Sequence, residues 1–156
     1  DRFLVRLSLG YPSPQEEQQM LDSLGDGIPF SSVNTVTSGE ELLALQQSVQ
    51  EVFVSQEVAR YIVELVAAPR QTPMAKMGVS PRGSRSLYRA SKAWAALEGR
   101  RFVTPDDVQQ LAPPVLDHRL LLSNEARLSG VTAEGLLDTL LAQVPVPPAG
   151  EELLRG

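Results

Sequence analysis

The order of apolar and polar positions divides the chain into short helical stretches behind one strand-like segment. In the run Phe3–Leu9, apolar Val5, Leu7 and Leu9 alternate with Arg6 and Ser8. That period of two predicts a short strand. Gly10-Tyr11-Pro12 ends it. Ser13-Pro14-Gln15-Glu16 then reads as a capping box with proline at the first helical position. The helix it opens is expected to reach about Leu24 and to stop at Gly25-Asp26-Gly27. Ile28 to Thr37 reads as a surface loop. Ser38-Gly39-Glu40-Glu41 repeats the capping box ahead of a helix with Leu42, Leu45 and Val49 on one face.

Val52-Phe53-Val54 predicts a short extended piece. Ser55 caps the next helix, whose Val58, Ile62, Leu65 and Val66 recur at spacings of three and four. Pro69 ends it, and Gln71 to Val79 reads as a loop. The longest helix is expected over Pro81 to Glu98. Leu87, Ala90, Trp94 and Leu97 form its apolar stripe, and Arg82, Arg85, Arg89 and Lys92 form a basic one. Gly99 stops it. Phe102-Val103 is extended. Thr104-Pro105-Asp106-Asp107 starts a further helix, with a threonine cap and acids in the first turn. That helix is expected to end near Pro113-Pro114. Val115 to Arg119 predicts another turn, and Leu120-Leu121-Leu122 a strand or the tail of that turn. Thr132 opens a last helix to about Gln143, before a proline-rich tail over 144–156.

The fold class is therefore mainly α: a small helical bundle of five or so helices, preceded by one orphan strand. A lone strand cannot satisfy its own backbone groups. With a chain that opens on Asp1-Arg2-Phe3 rather than Met, the expectation is a piece of a longer protein.

Composition narrows the chemistry. There is no cysteine, so disulfides and thiolate metal sites are excluded. His118 is the single histidine, which excludes a histidine metal cluster, and no metal site is expected. A net charge of −5 argues against general nucleic-acid binding, which wants a basic face. No apolar run approaches the roughly 20 residues of a membrane span. Aromatics make up only 5% of the chain, so the core must be built from Leu, Val and Ala. Trp94 is expected in that core, and His118 in a structural role, as a cap or in a hydrogen bond to backbone. The acid pairs Glu16/Glu17 and Glu40/Glu41 lie in first helical turns, where carboxylates stabilise the helix end without catalytic work.

The octapeptide Gly78-Val79-Ser80-Pro81-Arg82-Gly83-Ser84-Arg85 carries the sharper signal. Ser80 and Pro81 form a helix start, with the serine hydroxyl expected to accept from the first turn. Arg82 then sits at the positive end of the helix dipole, where a cation gains nothing by itself. It makes sense there if an anion such as a phosphate is to be met.

Those residues resemble a known family. The matching pieces are Asp1-Arg2-Phe3, Gly10-Tyr11-Pro12, Gly78 to Arg82, Leu97-Glu98-Gly99-Arg100, Val103 to Val108, Leu111-Ala112-Pro113, Val115 to Arg119 and Val144 to Pro147. Together the run from Asp1 to about Pro147 resembles the C-terminal part of MoxR-type AAA+ ATPases and, more distantly, magnesium-chelatase ATPase subunits. The resemblance implies residues 1–12 as the last strand and hinge of an α/β P-loop core, 13–147 as the helical lid, and 148–156 as a tail. It implies Arg82 as the sensor-2 arginine, reaching the γ-phosphate of ATP in the same subunit. Arg2 is implied as the arginine finger that reaches the neighbour's ATP. Arg85 and Tyr11 are candidate further nucleotide contacts. The implied cofactors are ATP and Mg²⁺, bound mainly by the core. The implied partners are a homo-oligomeric ring and client proteins, von Willebrand factor A domain proteins among them, in the cytoplasm. Neither nucleic acid nor a membrane is implied.

The sequence has no G-x-x-x-x-G-K-[ST] loop and no apolar strand ending in an acidic pair to hold Mg²⁺. The chain alone is therefore expected neither to hydrolyse ATP nor to bind it tightly. The alternatives are a chelatase-like subunit for metal insertion and a non-enzymatic helical adaptor. A helix-turn-helix reading of Ser80 to Glu98 is opposed by the acidic total charge.

Overall fold

A computed structural model describes residues 2–23 and 33–148. The expected stop at Gly25-Asp26-Gly27, the first part of the loop from Ile28, Asp1 and the tail beyond Pro148 lie outside the described residues. The chain forms two compact units, Asp1–Arg6 with Gln47–Gly156, and Leu7–Gln46.

The smaller unit holds helix α1, Pro14–Ser23, and most of α2, Gly39–Glu51. Both begin as the sequence predicts. Ser13 N–H donates to Glu16 Oε2 at 2.7 Å, and Glu16 N–H donates back to Ser13 Oγ. Ser38 and Glu41 repeat that exchange at 2.8 and 3.1 Å. These hydrogen bonds, from Ser13 backbone above all, hold the Glu16 carboxyl below its ordinary value. No described residue of Leu7–Gln46 is buried, and Leu42 and Leu45 on the apolar face of α2 stay exposed.

The larger unit contains α3 (Gln56–Ala67), β1 (Ala75–Met77), α4 (Pro81–Leu97), α5 (Pro105–Leu116), β2 (Leu121–Leu122), α6 (Asn124–Leu128) and α7 (Ala133–Gln143). Two 3₁₀ turns, Ala68–Arg70 and Asp117–Arg119, follow α3 and α5. Its core joins Val58, Ile62, Leu65 and Val66 of α3 to Leu87, Ala90 and Ala95 of α4. Val108, Ala112, Val115 and Leu116 of α5 and Leu137 of α7 complete it. The α3 set contains the four residues predicted from its spacing, together with Tyr61, which the spacing does not mark. Leu120, Leu136 and Leu140 form a satellite cluster beside it. The extended pieces predicted around Phe53 and Phe102 pair with each other. Phe53 N–H donates to Arg101 O at 2.8 Å, and Val103 N–H to Phe53 O at 3.0 Å.

The mainly helical class holds, and four local expectations are corrected. No strand forms over Phe3–Leu9. A strand exists only with a ladder, and the described residues offer this segment none. Arg6 N–H donates instead to Pro114 O at 2.8 Å. The stretch 71–79 is not all loop, because β1 pairs antiparallel with β2, Ala75 opposite Leu122. The helix expected to end near Pro113-Pro114 runs on to Leu116. Each proline removes a helical N–H, at a cost of about 3 kcal/mol in a helix interior. Complete burial of Ala112, Val115 and Leu116 offsets it. On α4, Trp94 is only half-buried and Leu97 is 80% exposed. The buried positions are Gly83, Ser86, Leu87, Ala90, Ser91 and Ala95. A periodic stripe says which face turns inward, not how far along the axis a neighbour covers it. The helix α6 was not anticipated: five residues are too few for a period, although Ser123 caps it through Ala126 N–H.

Candidate functional site

The octapeptide becomes the junction that seats the first turn of α4. Arg70 Nε donates to Val79 O at 2.6 Å, which ties the junction to the end of α3. Val79 itself is fully buried. Ser80 takes the extended N-cap conformation with Pro81 at the first helical position, as predicted. Its hydroxyl makes no capping bond, however, and the turn closes through Gly83 N–H to Ser80 O at 2.8 Å. Gly83 is required by close approach. A Cβ there would lie 2.2 Å from Val79 Cγ1, with Leu116 and Val66 next in line. The missing side chain lets α4 settle onto the core, which turns Arg82 outward at the start of the helix.

Arg82, Arg85 and Arg89 are exposed on that outer face. With Arg2, Leu4 and Ser86 they line one cleft of about 350 Å³. The structure thus brings together three of the residues singled out from sequence (Arg2, Arg82 and Arg85) and adds Arg89 from the same basic stripe. Tyr11 belongs to the other unit and is 98% exposed. Among the described residues the lining of the cleft carries four permanent positive charges and no carboxylate, in a chain of net charge −5. The N-terminal dipole of α4 adds to the same sign. Guanidinium groups fork onto paired oxygens, so the arrangement suits a polyvalent oxyanion such as a phosphate chain. A second, mostly apolar cleft of about 290 Å³ adjoins it between α3 and α4. Ala59, Ile62, Val63 and Tyr88 line it, and it shares Arg85 and Arg89 with the first.

The segment that carries Arg2 is held from the α5 side. Arg119, 9% exposed, donates through Nη2 to Phe3 O, to Leu4 O and to Ser86 Oγ, and through Nε to Val115 O. Burial pulls its guanidinium below the ordinary arginine value. His118 Nε2 lies 3.2 Å from the same Phe3 O, which is the backbone hydrogen bond expected of this histidine. In the sequence Arg119 stands only within the run Asp117-His118-Arg119, with nothing local to mark its work. Its role depends on a partner more than a hundred residues away, and no local pattern reports that.

Among the described residues no group of His, Asp and Glu could hold a metal ion. No described helix is long and apolar enough to cross a membrane.

Comparison with known proteins agrees with the helical fold. The family described as AAA lid domain matches residues 67–140, which run from the end of α3 into α7. The protein YeaC of Bacillus subtilis is 42% identical over 94% of this chain and 46% of its own length. Chaperone MoxR1 of Mycobacterium tuberculosis is 33% identical over 94% of this chain and 41% of its own. The crystal structure of a candidate ATPase from Cytophaga hutchinsonii superposes with a TM-score of 0.82 at 25% identity. That match covers 94% of this chain and 47% of the other. The chain therefore spans about half the length of the curated relatives it matches. Residues 67–140 of this helical architecture therefore carry an AAA lid domain, and over 94% of its length the chain is similar to MoxR-type proteins.

Proposed function

We propose that this chain is the lid that closes over ATP in a ring-forming MoxR-type ATPase, with residues 1–12 continuing from the P-loop core. The observation that supports this reading is the exposed cluster of Arg82, Arg85 and Arg89 that lines one cleft at the start of α4. In this reading Arg82 forks onto the terminal phosphate of its own subunit's ATP, and Arg2 onto that of the neighbour. Arg85 is a further candidate for the phosphate chain, and Tyr11 for the base. Bound ATP supplies the phosphoryl group to be transferred, and the core supplies the Mg²⁺ ligands. The arginines neutralise charge that develops on the equatorial oxygens. When that anion leaves, Arg82 loses this ligand and the lid rotates. The Arg2 segment shares a cleft with α4, so the rotation is felt at the arginine that serves the next subunit. This is a nucleotide-switched two-state element.

The work done by the ring is chaperone-like remodelling of client proteins in the cytoplasm, von Willebrand factor A domain proteins among the candidates. The name of the Mycobacterium tuberculosis relative, a chaperone, supports protein clients. The reading separates the roles of the two halves. The purified 156-residue chain is expected to show no Mg-ATP turnover, while the full-length protein hydrolyses ATP. Turnover by the chain alone in a coupled phosphate-release assay would overturn it.

A further inference from the structure

We propose that Arg119 is a positioning residue: a buried latch that holds the Phe3–Arg6 segment on α4 and so sets the spacing of Arg2 from Arg82. The inference rests on the reading of those two arginines as phosphate ligands.

Phe3 to Arg6 has no strand partner among the described residues, yet it is fixed at three successive points. Arg119 Nη2 takes Phe3 O and Leu4 O. His118 Nε2 meets Phe3 O at 3.2 Å. Arg6 N–H donates to Pro114 O at 2.8 Å. All three anchors belong to one stretch, the end of α5 and the 3₁₀ turn after it. Only Arg119 also reaches α4, where the same Nη2 lies 3.2 Å from Ser86 Oγ. Ser86 is one turn beyond Arg82 and lines the arginine cleft, as does Leu4. One guanidinium thus joins the backbone beside Arg2 to the helix that bears Arg82. Its Nε bond to Val115 O, at 2.7 Å, fixes the latch itself to α5.

The chemistry needs arginine. A planar fork can donate to Val115 O through Nε and to the far groups through Nη2 in one rigid arrangement. A lysine keeps the charge but is a single point on a flexible stem and cannot span both sets. Burying a guanidinium is costly unless its donors are met. A residue there only to fill space would be an aliphatic one. The expense is explained if the position of the segment matters.

The test uses Arg119→Lys, with Ser86→Ala as the second variant. The latter removes the α4 acceptor without disturbing the buried charge. Two readouts are taken well below the unfolding temperature. Amide hydrogen exchange is expected to rise about tenfold or more at Arg6, whose N–H is held by Pro114 O, as for a locally opened segment, while α3 and α5 keep their protection. In the full-length ATPase, kcat is expected to fall about tenfold with the KM for ATP within about twofold, since positioning acts on the transition state. Ser86→Ala gives smaller changes of the same sign.

A purely structural arginine would lower the melting temperature and leave kcat unmoved in the folded protein. Unchanged exchange at Arg6 in both variants overturns the latch. Faster exchange with unchanged kcat overturns the positioning role, provided Arg2→Ala lowers kcat. If Arg2→Ala and Arg82→Ala both leave turnover unchanged, the phosphate-ligand reading fails instead, and the exchange data alone decide whether Arg119 anchors the segment.

Discussion

Arg82→Ala in the full-length ATPase is expected to lower kcat about a hundredfold, the scale seen when one preorganised charge donor is removed from a transition state. The expectation follows from placement. Gly83 and buried Val79 hold the first turn of α4 against the core, so Arg82 projects from a rigid element rather than a loop. A preorganised cation needs no reorganisation when charge develops on the phosphate. The effect should lie mostly in kcat, because in the proposed reading the core holds the nucleotide through its own loop. Arg82→Lys keeps the charge and loses the fork, so it should recover only part of the rate. Steady-state ATP turnover, with nucleotide binding measured separately, checks this. A kcat within about twofold of wild type for the alanine variant would remove Arg82 from the mechanism.

The second large effect is on stability. Asp107→Ala should destabilise the larger unit by about 3 kcal/mol, from breaking a part-buried ion pair whose carboxylate is buried and losing a helix cap together. Asp107 is 4% exposed and takes both Nη atoms of Arg100, at 2.7 and 2.5 Å. It also accepts from Thr104 N–H at 2.8 Å, while its own N–H donates to Thr104 Oγ1, which completes the capping box of α5. Burial alone pushes this carboxyl up. The hydrogen bonds from Arg100 and Thr104 outweigh it and hold the group below its ordinary value. The folded value is depressed, so the stabilisation is fully present above the unfolded value of about 4 and is lost as pH falls through the folded one. Wild type and Asp107→Ala should therefore differ by roughly 10 °C in melting temperature at pH 7 and converge in strong acid. A constant difference down to pH 2 would mean the ion pair is not the source.

The helix starts were legible because their chemistry is local. Ser13, Ser38, Ser55, Thr104 and Thr132 all cap helices where their side chains and the following acids or prolines foretold them. The basic stripe of α4 was legible because helical spacing by itself puts Arg82, Arg85 and Arg89 on one face. What escaped depends on distant partners. The Phe3–Leu9 alternation has the period of a strand, but only a ladder could make it one. Pro113 and Pro114 carry a local stop signal that the burial of Val115 and Leu116 overrides. Arg119 is unremarkable in sequence, and its work becomes visible only when Phe3 and Ser86 are brought to it. Ser80 occupies its predicted cap position without the predicted hydroxyl bond, since the dihedrals of a cap can be met by backbone closure alone.

The central claim, that Arg82 serves its own subunit's ATP and Arg2 the neighbour's, is tested most directly by mixing full-length subunits. Arg2→Ala subunits are combined with subunits whose P-loop lysine is replaced, and ATP turnover of the mixed rings is measured. The account predicts recovered turnover, because an intact core and Arg82 in one subunit meet an intact Arg2 from the next. The same mixture made with Arg82→Ala subunits should stay inactive, since neither partner then has a complete site. Recovery in both mixtures, or in the Arg82→Ala mixture alone, would contradict the assignment.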